Sequence, residues 1–566
     1  MDIKNNTIIT FDSASNITII INTHLHIHAL RLLRRYFSGI HLNIIHIENY
    51  TNDKILSKNS NFTIWVSDAI DTLPNTIVPK VKNTVLAEGA FLLRSIQFNQ
   101  QPMLLILGGG IAGIIYAVNE LGTKHITIRG QTIQISSLDV YQTPALPYRF
   151  FWTWDHSTNW YLEQCGMQEI GFANPYTKPM NGFLEDYHRL IDFMSLHRIN
   201  GITIYGFLRD SHGGIEAAQE LCRYATERGV RILPGVGINC YGGIYWEGEH
   251  RYNLSQWLHQ NPNLRAQFDQ PKHFRLPEFT ELYLPETFYL DAACPSKSKN
   301  MDYHVEAIQW LAETFEIGGI NFETGDYGIC QCTECAARRA VDQQWSFKDM
   351  ALVYPRLFSA TQRSRKDLWL VCEAYWDNLL DLNAISALTD LPDEAIYQFC
   401  INRSYAQRLK NELTSHYVKS LPRSKNIWRT HMGSQWQHER YELVAKRYAE
   451  MMHMSFKTGL QGANIFGEVS AFNTVNEINY LAFSRFGYDP TLSWEQFIKE
   501  DIAPLVGGSE AANKYLELLD CNHTPDALTR GIAEARDVAM SLSGDSYRRW
   551  IWLQNRLHQK LMMKDS

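Results

Sequence analysis

Arg149-Phe150-Phe151-Trp152-Thr153-Trp154-Asp155-His156 is a run of β-prone residues that ends in a polar and aromatic cluster. The pattern returns seven times. Strand candidates follow at Gly201–Gly206, Arg231–Val236, Gly319–Phe322, Leu368–Glu373, Ile396–Ile401, Asn426–His431 and Gly462–Phe466. Between them the spacing predicts helices, for example Leu184–Leu196, Gly214–Arg228, Tyr303–Phe315 and Phe347–Gln362. Eight strands with intervening helices is the count of a (β/α)8 TIM barrel. The strand ends carry Trp154-Asp155-His156, Asp210, Asn321-Phe322-Glu323, Glu373-Ala374-Tyr375-Trp376, Arg429-Thr430-His431 and Glu468. In such a barrel the C-terminal ends of the strands converge on one active site. An enzyme is therefore expected.

Working outward, residues 1–145 mix short strands and helices and read as a separate α/β domain. The expected barrel spans 146–485, and a helical region covers 486–566, with helices at Trp494–Asp501, Glu510–Leu519 and Ala527–Met563. The fold class is α/β. Within the first domain, Gly108-Gly109-Gly110-Ile111-Ala112-Gly113 matches a dinucleotide-binding fingerprint between a strand and a helix. No second strand ends in an acid about 20 residues later, as that fingerprint requires. The expectation is a tight strand-to-helix turn.

Composition narrows the function. In 566 residues there are 53 Lys plus Arg against 60 Asp plus Glu, a net charge of −7, so nucleic acid is not an expected partner. Apolar residues make up 45 % and charged residues 20 %, which implies a large packed core. The longest apolar run, residues 102–119, is broken by three glycines and does not read as a membrane span. The start shows no secretory pattern, and the ten cysteines form no disulfide framework, so a reducing cytoplasm is expected. Fifteen Trp and 28 Tyr suit a ligand with apolar faces and hydroxyl edges, which a glycan or small glycoside has. A homo-oligomer is compatible with all of this.

Asn321 and Glu323 stand at i and i+2 of a strand and so face the same side. Glycoside cleavage needs an acid to protonate the leaving oxygen and a second group at the anomeric carbon. In a 2-acetamido sugar the substrate's own carbonyl can be that second group, leaving an adjacent Asn to orient it. No cofactor is then needed for catalysis. Asp326, Glu373 and Glu468 are candidate bases or sugar contacts, beside Arg149, Trp154, Asp155, His156, Asp210, Tyr375, Trp376 and Trp436. Cys330-Gln331-Cys332-Thr333-Glu334-Cys335 puts three thiols within six residues, and Cys294 is the candidate fourth ligand of one structural zinc.

The α/β domain closing in Gly108–Gly122, the segment Ile317–Arg339, and Tyr480–Gly507 with its Tyr488-Asp489-Pro490 resemble a barrel superfamily of glycoside hydrolases. Its members include family 20 hexosaminidases, family 67 α-glucuronidases and family 123-like enzymes. The resemblance implies Glu323 as general acid and Asn321 as acetamide polariser. Family 20 carries an adjacent Asp-Glu pair, whereas this chain has Asn321-Phe322-Glu323, closer to the Asn-x-Glu of family 85 endoglycosidases. The expectation is an exo-acting β-N-acetylhexosaminidase, with N-acetylgalactosamine favoured over N-acetylglucosamine. An inverting α-glucuronidase-like enzyme would instead use Asp326 or Glu373 as base and would need Arg149, Arg209, Arg403 or Arg429 for the uronate. A non-catalytic carbohydrate-binding protein would keep the aromatics without the convergent acids.

Overall fold

The computed structural model describes residues 8–49, 62–81, 84–98, 101–164, 178–240, 242–267, 292–323, 330–338, 347–374, 391–401, 419, 421, 425–433, 442–520 and 524–564. The chain divides into two compact units, one holding residues 1–147 with 191–200 and 220–231, the other holding the remainder.

In the first unit a six-stranded sheet runs in the order β3 (His41–His46), β2 (Asn16–Ile21), β4 (Phe62–Ser67), β6 (Gln101–Gly108), β5 (Phe91–Phe98) and β9 (Asp139–Gln142). The first four are parallel, and β5 runs antiparallel between β6 and β9. A second sheet pairs β1 (Ile8–Phe11), β8 (Thr132–Ser136) and β7 (Ile126–Arg129). The glycine-rich turn joins β6 to the helix Gly110–Glu120. A Cβ on Gly109 would stand 1.7 Å from the Ala87 carbonyl oxygen, and one on Gly113 2.3 Å from that of Ala90. The Gly109 amide donates to the Ala90 carbonyl and its own carbonyl accepts from Gly89. Close backbone packing therefore accounts for Gly109 and Gly113, and the Gly109 amide is already committed within the protein.

The second unit is built on a closed barrel. Its strands are β10 (Tyr148–Trp154), β11 (Gly201–Tyr205), β12 (Arg231–Gly237), β13 (Gly319–Glu323), β14 (Trp369–Ala374), β15 (Ile396–Ile401), β16 (Asn426–Thr430) and β17 (Gly462–Phe466). β10 pairs in parallel with both β11 and β17, which closes the ring. All eight strands lie where the sequence pattern places them. Tyr148, Phe150, Leu233, Val371, Ile396 and Ile427 fill one level of the interior. Trp152, Tyr205, Cys240, Trp246, Phe466 and Val469 fill another. On β10 the even-numbered residues thus face inward.

The expected helix 527–563 is two helices, Pro525–Ala539 and Gly544–Met562, which pack on each other. Ser541 and Ser543 weaken the helix locally, and Gly544 takes a left-handed φ of 59° that a helical interior cannot accept. Among the described residues no helix is long and apolar enough to cross a membrane.

The barrel helix Ser298–Thr314 buries His304, and desolvation lowers its pKa to about 3. The unfolded chain takes up a proton near the ordinary value of 6.5, while the folded chain does not until far lower pH. Its contribution is thus intact above about pH 6.5 and erodes as the pH falls towards 3. At pH 5 this one group should cost about 2 kcal/mol of stability. Urea unfolding of the wild type and of His304→Leu at pH 7 and pH 5 measures this. The variant should lose distinctly less stability on acidification, and equal losses would refute the assignment.

Candidate active site

Five side chains from four strands meet inside the barrel near its C-terminal end. Tyr205 ends β11, Asn321 and Glu323 lie on β13, Glu373 on β14 and Arg429 on β16. Tyr205, Asn321 and Glu373 are completely buried, and Glu323 and Arg429 are 2 % exposed. The Arg429 guanidinium pairs with Glu373 Oε1, and its Nη1 donates to the Tyr205 hydroxyl at 2.9 Å. The Tyr205 hydroxyl donates to Glu373 Oε2 at 2.6 Å. Asn321 Nδ2 donates to the same Oε2 at 3.0 Å and approaches the Tyr205 oxygen at 3.2 Å. Trp152 lies under the guanidinium, 4.4 Å from ring centroid to carbon.

This network has chemical consequences. The Glu373 carboxylate accepts from Arg429, Tyr205 and Asn321, so its lone pairs are largely committed. Burial pushes the Tyr205 phenol well above its usual pKa, against the pull of Arg429 and with help from Glu323 and Glu373. It therefore remains a donor at neutral pH. With both amide hydrogens directed at this network, Asn321 Oδ1 is a buried acceptor with no hydrogen-bond partner among the described residues. Glu323 lies two residues further along the same face. Its carbonyl accepts from the Ile238 amide at 3.0 Å, in register with Gly237 of β12.

A second charged group surrounds Asp155, just past β10. Its Oδ2 is 2.7 Å from Arg209 Nε and 3.4 Å from His212 Nε2, with His156 Nδ1 3.7 Å from Oδ1. Burial alone would raise the carboxyl, but Arg209 and hydrogen bonds from the two histidines outweigh it and hold it well below the carboxylate range. Gly206 makes room for it, since a Cβ there would sit 2.0 Å from Asp155 Oδ1. Trp154 stacks on Tyr205 at 5.1 Å and meets Trp246 edge-on at 5.5 Å.

Asn321, Glu323 and Glu373 thus come together, and Trp154 stacks on their neighbour Tyr205. Arg149 does not face the interior. It is on the odd-numbered side of β10, with its guanidinium 5.4 Å from the Tyr488 ring and its stem beside Gly487. Glu468 Oε1 accepts from the Trp154 amide at 2.6 Å, which ties the turn after β17 to the end of β10. Asp210 accepts from the Tyr245 hydroxyl. Trp152, Trp160 and Trp246 are core residues, whereas Trp154 keeps some exposure. Asp326, Tyr375, Trp376, Arg403 and Trp436 lie outside the described residues. Tyr205 was not among the sequence candidates, although its place at a strand end, just before Gly206, is the signal that marks such residues. The four cysteines converge, with their sulfurs all within 4.8 Å of one another.

Comparison with known proteins leaves sequence behind and retains fold. No family model matches the chain, and no curated protein matches it. Solved structures do. A glycoside hydrolase family 20 β-N-acetylglucosaminidase superposes with a TM-score of 0.50 at 12 % identity, over 88 % of this chain and 93 % of that one. The Flavobacterium johnsoniae chitobiase gives 0.52 at 10 % identity, over 100 % and 92 %. A family 138 enzyme targeting pectin rhamnogalacturonan II gives 0.52 at 11 %, over 96 % and 68 %. This chain shares the fold of these glycoside hydrolases, an α/β region, an eight-stranded parallel barrel and C-terminal helices.

Proposed function

We propose that the chain is an exo-acting glycoside hydrolase that releases β-linked N-acetylhexosamine by substrate-assisted, retaining catalysis. N-acetylgalactosamine is the first sugar to test, ahead of N-acetylglucosamine. The observation that carries the reading is the orientation of Asn321, whose Nδ2 is held by Glu373 and Tyr205 while Oδ1 faces no partner among the described residues. An acetamide N–H is the donor such an oxygen lacks. A hydrogen bond there would fix the acetamide so that its carbonyl oxygen lies behind the anomeric carbon.

The steps follow from that geometry. Glu323 gives its proton to the glycosidic oxygen as the bond from C1 to that oxygen breaks. The acetamide oxygen forms a new bond to C1 on the opposite face, giving a cyclic oxazolinium ion. Its N–H becomes more acidic as positive charge develops, so the contact to Asn321 Oδ1 strengthens in the transition state, where it counts. Glu323, now a carboxylate, takes a proton from water as the water attacks C1 and the bond from C1 to the acetamide oxygen breaks, which restores the acetamide. Two inversions restore the β-configuration.

The α-glucuronidase alternative fares less well on the same residues. Arg209 and Arg429, cations a uronate would need, already pair with Asp155 and Glu373. Arg149 faces Tyr488. Glu373, a candidate base, already accepts three hydrogen bonds.

Glu323→Gln should lower kcat on natural linkages by about 10² to 10⁴ while the fold persists. On a dinitrophenyl glycoside the loss should shrink, because a good leaving group needs little protonation. Equal losses on both substrates would remove Glu323 from the acid role.

The acetamide reading makes a separate claim. A thiazoline of the matching amino sugar should inhibit competitively, and Asn321→Ala should slow acetamido substrates by about 10². Proton NMR in the first minutes should show the β-anomer before mutarotation. An α-anomer formed first would mean a single inversion and would end this reading.

A further inference from the structure

Among the described residues outside the barrel interior, the densest reactive cluster is the set of four thiols. Cys330 follows β13, separated from Glu323 by residues 324–329. Cys332 caps the short helix Thr333–Ala337, and Cys335 stands three residues on, so their side chains turn to one side. Cys294 comes from a different loop. Its sulfur is 3.5 Å from Cys330, 3.7 Å from Cys332 and 3.8 Å from Cys335. These separations are far beyond a disulfide bond. Four sulfurs at about 2.3 Å from a tetrahedral ion stand about 3.8 Å apart. Cluster cofactors with several irons need a wider cage. We propose that Cys294, Cys330, Cys332 and Cys335 bind one zinc ion, and that this ion clamps the two loops on either side of Glu323.

The surroundings fit four thiolates. Four sulfurs and one divalent ion carry a net charge of −2, and Arg338 lies against them, its Nη2 3.3 Å from Cys335 Sγ. Arg338 is itself fixed by Asp349 at 2.7 Å and by Ser296 at 2.7 Å. The Ser296 hydroxyl is 2.9 Å from Cys335 Sγ, and the Gln267 amide donates to Cys330 Sγ at 3.3 Å. Outer contacts of this kind orient metal ligands and temper their charge. All four positions are filled by protein, which is the arrangement of a structural site and leaves none open for water.

The clamp follows from connectivity. The Ala293 amide, beside Cys294, donates to Asn239 at 2.8 Å, and the Ile238 amide next to it donates to the Glu323 carbonyl at 3.0 Å. On the other side Glu323 leads through six residues to Cys330. The ion would close a ring that contains the end of β13. The metal claim stands independently of the hydrolase reading; only the effect on Glu323 rests on it.

Mass spectrometry of the full chain, purified without chelator under reducing conditions, should find about one zinc per chain. Before mercurial release of the metal, these four thiols should resist a thiol reagent. Chelation should lower the melting temperature by about 5 °C or more, and added zinc should restore it. A Cys332→Ser variant should bind zinc more weakly and melt earlier. On the Glu323 side, metal-depleted protein should lose kcat while KM holds, with more loss on poor leaving groups. Protein that is zinc-free as purified and does not take up zinc would overturn the site, as would one iron per chain with a visible absorption band. Full zinc content with unchanged kcat after removal would overturn the clamp and leave the hydrolase reading to its own tests.

Discussion

A buried ion pair between Glu373 and Arg429 is the constraint on which the inside of this barrel is organised. Two charges withdrawn from water cost several kcal/mol each, and attraction offsets that only when geometry is good and the remaining donors and acceptors are satisfied. Here the satisfaction comes from other strands, Tyr205 on β11 and Asn321 on β13, with Trp152 of β10 stacked beneath the guanidinium. Five of the eight strands must be in register for the pair to be tolerable. Removing one partner would leave an uncompensated buried charge, a defect of about 3–5 kcal/mol. The barrel therefore folds with a rigid polar floor. The Asn321 amide takes its orientation from that floor.

Asp155 and Arg209 repeat the logic nearer the mouth, with the histidines 156 and 212 against the same carboxylate. Burial lowers the pKa of His156. Gly206 is the local reason the arrangement fits, because any side chain there would occupy the position of Asp155 Oδ1. Both guanidiniums are thereby balanced within the protein. A neutral, hydroxylated ligand suits such a pocket better than an anionic one, which would have to compete with a carboxylate already in place.

Much of this was legible in the sequence, and the limits have physical causes. The strands of the barrel could be read because each is a short β-prone run ending in polar residues. What could not be read was which side of each strand faces inward. Arg149-Phe150-Phe151-Trp152 has no alternation, since a parallel strand wrapped by helices is buried on both faces. The sequence therefore points Arg149 into the pocket, whereas the side chain packs on Tyr488, and it does not show that Tyr205 joins the network. In the first unit β1, β5 and β9 carry little local signal. β1 and β9 are four-residue strands, and β5, Phe91–Phe98, breaks its apolar pattern at Arg94. The tight strand-to-helix turn expected at Gly108–Gly113 is present, and the closeness of Gly109 to Ala87 shows why that position is glycine. Cys294 could be suspected as fourth thiol only from its existence, because a contact across 36 residues of chain leaves no local trace.

Glu323 occupies the last paired position of β13, opposite Gly237. Up to that point the ladder and the ion-pair network fix the backbone. A proton donor must hold its place relative to the leaving oxygen, since misplacement by about 1 Å can cost 10² in rate. A residue at such a boundary is positioned only as well as the segment that follows it. The Ile238 contact restrains one side, and a zinc ion at the thiols, the nearest of them seven residues downstream, would restrain the other. With zinc bound, the carboxyl would lie between a charged floor inside the barrel and a sulfur cluster outside it. The two depend on different physics. Salt and surface changes should scarcely touch the first, whereas the second answers to thiol chemistry, so the precision of the site is most exposed to its environment through the cysteines.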